Sequence, residues 1–150
     1  MESALALNRQ TLHALLHDLS ELLTDRKFKV LCIIEPEENF TPIPAHPLIQ
    51  SVLCVKFDDV EPSDNCLVPA STRQLDLLAA YLHTVEDVPL LVACNAGISR
   101  SVAVVAAYEV YKKVHTKKQA LTKYNTLPYC INTWLFEEVL SRLEKDYAQS

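Results

Sequence analysis

Three short, mainly apolar runs, Lys29–Ile34, Ser51–Phe57 and Pro89–Ala93, stand among longer stretches whose leucines and alanines return every three or four residues. Strands that are apolar on both faces belong to a parallel sheet covered by helices, because an antiparallel sheet with one wet face alternates polar and apolar residues. The chain is therefore expected to adopt an α/β architecture, with a mainly parallel central sheet flanked by helices. Leu12, Leu15, Leu16, Leu19, Leu22 and Leu23 fall on one stripe of an amphipathic helix ending near Asp25. Ser71 or Thr72 caps a second helix that carries Leu75, Leu78, Ala79 and Leu82 and runs through His83. A third, about Ser99–Lys113, is apolar on nearly every face from Val102 to Val110, as a helix at the centre of a domain must be. Lys117–Tyr124 and Asn132–Tyr147 close the pattern, the last turning Trp134, Leu135, Val139, Leu140 and Leu143 inward.

At 150 residues and 49% apolar composition the chain is long enough to bury one core and too short for two ordinary domains, so residues 1–150 are expected to form a single domain. A net charge of −5 and a pI near 5.5 argue against a nucleic-acid partner. Lys112, Lys113, Lys117 and Lys118 with His115 read as the solvated face of a helix connection. The longest apolar runs, Val102–Tyr108 and Pro89–Cys94, are too short to cross a bilayer, and no basic cluster precedes the first leucines. Five cysteines, at 32, 54, 66, 94 and 130, show no short paired spacing. That usage suits a reducing, cytoplasmic setting in which Cys32, Cys54 and Cys94 serve as small hydrophobes of strand-like runs. No histidine lies at zinc-ligand spacing from a cysteine, and His13 with His17 reads as a solvated pair on a helix surface, so no metal or other cofactor is expected.

The chemistry concentrates where the run Pro89–Ala93 meets the apolar helix: Cys94-Asn95-Ala96-Gly97-Ile98-Ser99-Arg100-Ser101. Gly97 is the only glycine of the chain, although glycine averages about 7% of ordinary sequences, so a position needing its torsional freedom is expected here. Seven residues wrapping from a strand end into a helix start can turn successive N–H groups inward as an anion nest, to which the helix adds its free amides and positive dipole end. Arg100 contributes a planar fork that holds two oxygens of a phosphate at once. The same donors favour the thiolate of Cys94, the form that attacks phosphorus. Cys94 is thus the candidate nucleophile, and Asn95, Ala96, Gly97, Ile98, Ser99 and Arg100 are the candidate binding residues for phosphate or a sulfate ion. A leaving oxygen also needs a proton, and Asp58 and Asp59 are the first polar residues after Ser51–Phe57, on an acid-rich loop that includes Asp64. The Ser101 hydroxyl is placed to donate to the sulfur when the phosphocysteine is resolved by water.

The run Val92–Ser101 resembles the signature of the cysteine-dependent dual-specificity protein phosphatases, within the wider protein-tyrosine-phosphatase superfamily. Phe57-Asp58-Asp59 resembles that family's strand-then-aspartate acid loop, Ala106-Ala107-Tyr108 its post-signature helix, and Cys130-Ile131-Asn132-Thr133-Trp134-Leu135 its late segment, in which an asparagine supports the phosphate loop. The resemblance covers roughly residues 28 to 147. It implies a dual-specificity-phosphatase-like fold with the phosphate loop between a strand and a central helix. It also implies metal-independent hydrolysis of phosphorylated protein, on phosphotyrosine and on phosphoserine or phosphothreonine. Cys94 takes the nucleophile's part and Arg100 the clamp's. Asp59, the second of the paired acids, is the expected general acid ahead of Asp58, with Asp64 third. Asn132 either supports the loop or caps the last helix. One departure stands out: where the family usually has histidine before the cysteine, this chain has Ala93. That change implies either a differently tuned enzyme or a module that binds phosphoprotein with weak or no turnover.

Overall fold

Four parallel strands form the centre of the molecule in the order β1-β4-β2-β3, with β1 at Ala4–Asn8, β2 at Phe28–Ile34, β3 at Ile49–Lys56 and β4 at Leu90–Cys94. A computed structural model describes residues 4–17, 27–38, 47–60, 67–85 and 88–149, with side chains described throughout except at 16, 17 and 146–149. Among the described residues five helices accompany the sheet: α1 (Arg9–His17), α2 (Thr72–His83), α3 (Arg100–Tyr111), α4 (Lys117–Lys123) and α5 (Thr133–Gln149). β4 lies between β1 and β2, pairing Asn8 with Cys94 on one side and Cys32 with Ala93 on the other.

Alternation along the strands splits the core into two layers. Leu31 and Ile33 of β2, Val55 of β3, and Leu90, Val92 and Cys94 of β4 face the larger layer, where α2, α3 and α5 pack. Val30, Cys32, Leu91 and Ala93 face the smaller layer with Leu12 of α1. Every residue of β2 and β4 is buried, as expected of apolar strands covered on both sides, but the same expectation fails for Ser51–Phe57: β3 lies at the sheet edge and buries only Val55 along its length. The central position read for the helix after Gly97 is correct: α3 is buried from Arg100 through Glu109. Among the described residues no helix is long and apolar enough to cross a membrane.

Local chemistry sets the helix ends. Ser71 caps α2 and Thr116 caps α4, each through a reciprocal box with the glutamine three residues on. Asn132 caps α5, its Oδ1 accepting the Leu135 amide at 3.0 Å. At the far end of α3 the buried Glu109 carboxylate accepts the Tyr124 hydroxyl at 2.5 Å and lies 3.7 Å from His115, so its charge is not left alone in the core.

Two expectations need correction. The first strand of the chain is β1, where none was expected, so Leu90–Cys94 is the fourth strand and not the third. Ala-Leu-Ala-Leu is composed of strong helix formers, and its pairing with β4 overrides that preference. The leading helix also begins earlier than its leucine stripe suggests, at Arg9; its expected continuation through Leu19, Leu22 and Leu23 to Asp25 lies outside the described residues, as does most of the proline-rich loop at 41–47. Phe136 is fully buried where α5 meets the larger layer. Phe136→Ala is expected to cost about 3–5 kcal/mol, read as a drop in the urea unfolding midpoint.

Candidate active site

Because all four strands are parallel, their C-terminal ends share one edge of the sheet. That edge gathers Asn8 at the end of β1 and Arg9 just after it, Glu35 after β2, Phe57 to Asp59 after β3, and Cys94 at the end of β4. The neighbours β1 and β4 send their following helices to opposite layers, α1 to the smaller and α3 to the larger. A switch of this kind opens a crevice at the strand ends, the usual place for a ligand in an open α/β sheet.

The loop from Cys94 to Arg100 lies at this switch. Gly97 has φ +71, and a Cβ built on it would stand 2.5 Å from the Asn8 nitrogen and 2.7 Å from the Leu7 carbonyl carbon. Its lack of a side chain therefore serves both the left-handed turn and the close approach of β1. The turn directs the Gly97 N–H at Cys94 Sγ, at 3.3 Å, and the first turn of α3 adds the Ser101 N–H at 3.4 Å. The Ser101 hydroxyl lies 3.2 Å from the same sulfur. Cys94 is only 2% exposed, seated at the base of the loop. Asn95, Ala96 and Ile98 are exposed on the outer side, and Ser99 is half-buried.

Arg100, the first residue of α3, is held by the ends of two strands. Its Nη1 donates to the Phe57 carbonyl at 2.7 Å and its Nη2 to Glu35 Oε1 at 2.5 Å. These bonds fix the plane of the guanidinium while using two of its five N–H groups. Behind the loop, the Cys130 amide donates to the Ile98 carbonyl at 2.8 Å and the Asn132 amide to that of Ser99 at 3.4 Å.

The two aspartates of the acid loop have different surroundings. Asp58 is buried and structural: its amide donates to the Val68 carbonyl at 2.6 Å, and its Oδ2 accepts the Val68 amide at 2.8 Å, clamping the two ends of the loop together. Asp59 is exposed and turns toward Ser99, whose hydroxyl donates to Oδ1 at 2.8 Å. The Asn132 side-chain amide donates to the same oxygen at 2.9 Å, so Asn132 both caps α5 and steadies Asp59. Asp64 lies outside the described residues.

Three residues at this edge were not singled out in the sequence. Glu35 is the first polar residue after β2, and the reasoning that picked out Asp58 and Asp59 after β3 applies to it equally. Glu38 and Arg9 form an ion pair beside Asn95. Arg9 had no signal, because the strand that delivers it was not recognised. Desolvation is the largest single influence on the Glu38 carboxyl and raises it, but hydrogen bonds from Arg9, from the Glu35 amide and from Asn95, with the charge of Arg9, together outweigh it and hold the group below the usual carboxylate range.

No protein-family model and no curated protein matches this chain. Solved structures do. Human DUSP28 aligns with a TM-score of 0.63 at 18% identity, covering 100% of this chain and 97% of that one. The PTP-2 phosphatase of Cydia pomonella aligns at 0.61 and 19%, covering 94% and 86%. The human tyrosine phosphatase-like serine/threonine/tyrosine-interacting protein aligns at 0.53 and 22%, covering 95% and 85%. The chain has the fold of the dual-specificity and protein tyrosine phosphatases, and its central sheet is parallel throughout.

Two expectations follow from this geometry. Gly97→Ala meets both the backbone of Asn8 and a left-handed φ, whose cost alone is about 1–2 kcal/mol, so it is expected to lose at least that much stability, read as a lower urea midpoint. Burial pushes the Cys32 thiol up to about 12, neighbouring Cys54 adding to the rise and Arg9 opposing it. At pH 8 Cys32 is therefore protonated, and peptide mapping after iodoacetamide treatment should find it unmodified in native protein and alkylated only after unfolding.

Proposed function

We propose that this protein is a cysteine-dependent phosphatase that hydrolyses phosphate monoesters on proteins, phosphotyrosine foremost and phosphoserine or phosphothreonine with it. The observation that carries this reading is the convergence of the Gly97 and Ser101 amides on Cys94 Sγ at the start of α3, beside a guanidinium anchored at Phe57 and Glu35. Inward amides and a helix N-terminus favour an oxyanion above the sulfur.

In the first step the Cys94 thiolate attacks phosphorus, the bond from phosphorus to the ester oxygen breaks, and that oxygen takes a proton from Asp59. Arg100 and the amides of residues 95–99 hold the three equatorial oxygens, on which charge accumulates. In the second step water attacks the phosphocysteine, gives its proton to Asp59, and the sulfur–phosphorus bond breaks with its electrons returning to sulfur. The Gly97 and Ser101 N–H groups and the Ser101 hydroxyl stabilise the departing thiolate. Asp59 is favoured as the acid because Ser99 and Asn132 fix its Oδ1 and leave Oδ2 to carry the proton, whereas Asp58 is occupied with Val68. The loop itself offers the uncharged side chains of Asn95, Ala96, Ile98 and Ser99, which favours a singly phosphorylated side chain over a polyanion. The described cysteines, Cys32, Cys54, Cys94 and Cys130, form no disulfide, which supports a cytoplasmic setting.

A second reading, a module that binds phosphoprotein without turnover, rests on Ala93, whose buried methyl faces the smaller core layer and offers the loop no hydrogen bond. Release of phosphate from an aryl phosphate separates the two. Wild type should turn over, vanadate should inhibit, and Cys94→Ser should abolish the activity; phosphopeptide binding with no turnover above the Cys94→Ser background selects the module instead. Asp59→Asn is expected to slow substrates with poor leaving groups by about 10²–10⁴-fold and good ones far less. If Asp58→Asn shows that selectivity and Asp59→Asn does not, the acid is assigned to the wrong neighbour.

A further inference from the structure

Asn95 is an exposed residue of the phosphate loop, yet its carboxamide is committed to protein partners on both sides. Its Oδ1 accepts from Arg9 Nη1 at 3.1 Å, and its Nδ2 donates to Glu35 Oε1 at 2.8 Å and to Glu38 Oε1 at 3.3 Å. Glu38 pairs with Arg9 through its other oxygen, while its Oε1 also accepts the Glu35 amide at 3.2 Å and so closes the turn after β2. Glu35 Oε1 in turn accepts Arg100 Nη2. A single carboxylate oxygen therefore receives both ends of the cradle, the side chain of its first residue, Asn95, and the guanidinium of its last.

We propose that Arg9, Glu38 and Asn95 act as one positioning unit that sets the Cys94–Arg100 loop for oxyanion binding, in the absence of any polar side chain at position 93. The proposal rests on the phosphatase reading above. Its elements come from three separate strand ends: Arg9 follows β1, the Glu35–Glu38 turn follows β2, and the loop follows β4. Ala93, immediately before the sulfur, is fully buried and has no group that can reach the loop. The loop is instead steadied from outside, by a neutral arrangement in which Arg9 balances Glu38 and Arg100 balances Glu35. Removing Arg9 leaves an unbalanced carboxylate beside the place where phosphate arrives, and it releases the Asn95 oxygen. Both changes oppose anion binding, the first through repulsion and the second through loss of loop geometry.

The test measures vanadate affinity, read as protection of Cys94 from iodoacetate, together with kcat and KM for an aryl phosphate. The variants are Arg9→Ala, Arg9→Lys, Asn95→Ala and the double variant Arg9→Ala/Asn95→Ala. Arg9→Ala and Asn95→Ala are each expected to weaken vanadate binding and kcat/KM on the order of tenfold, with unchanged unfolding midpoints for exposed Asn95→Ala. Arg9→Lys, which keeps the charge that balances Glu38, should recover part of the loss. The double variant should lose little more than either single one, because both break the same unit. Wild-type-like vanadate affinity in Asn95→Ala, or losses that multiply in the double variant, overturn the proposal while leaving the phosphatase reading intact. Wild type that neither turns over nor binds vanadate overturns that reading and this proposal with it.

Discussion

The left-handed turn at Gly97 is the constraint on which the edge of the sheet depends. A residue with a Cβ at that φ would be strained, and here it would also collide with the backbone of β1. Because Gly97 yields on both counts, its amide swings in over the Cys94 sulfur while β1 lies tight against the loop. The chain uses this residue type nowhere else. Elsewhere serine, threonine and asparagine cap the starts of α2, α4 and α5, and Lys113 takes φ +62 after α3.

Around that turn, order comes from strands that contribute one anchor each. Phe57 at the end of β3 supplies a carbonyl and Glu35 at the end of β2 a carboxylate, and between them they fix the guanidinium of Arg100. A planar cation held at two points has little rotamer freedom left to lose, so its remaining donors are organised in advance for a ligand. The adjacent aspartates divide their work in a similar way. Asp58 fastens its own loop to Val68, and with that fixed Asp59 is presented to Ser99 and Asn132. Neighbouring acids of identical chemistry thus acquire different surroundings from the direction in which each side chain leaves the backbone.

Much of this was legible in the order of residues. The runs that became β2 and β4 announced themselves because a strand covered on both faces is written almost wholly in apolar letters, and the run that became β3 was read the same way although that strand lies half-exposed at the sheet edge. The helices α2 to α5 were visible from leucine and alanine spacing and from the caps at Ser71 and Asn132. Cys94, Gly97, Arg100 and Ser101 lie within eight residues of one another, so their convergence was readable as a motif. What escaped was everything dictated by pairing across the sheet. β1 is made of residues that prefer a helix and is a strand only because β4 lies beside it, and with β1 unrecognised Arg9 had no place near the loop. Glu38 was hidden for a similar reason, because its role comes from β2 ending next to β4, whereas Glu35 carried the same strand-end signal as Asp58 and Asp59 and was passed over.

The position of β1 also bears on how such a chain comes to be folded as it is made. Its sole strand partner is β4, so Ala4 finds its place only against Leu90, and Asn8 only against Cys94. During synthesis the first strand therefore leaves the ribosome long before the surface it will dock on exists, while β2 and β3, closer in sequence, can already associate. β1 can be secured only once β4 has been made, and with it the wall of backbone that Asn8 sets against Gly97.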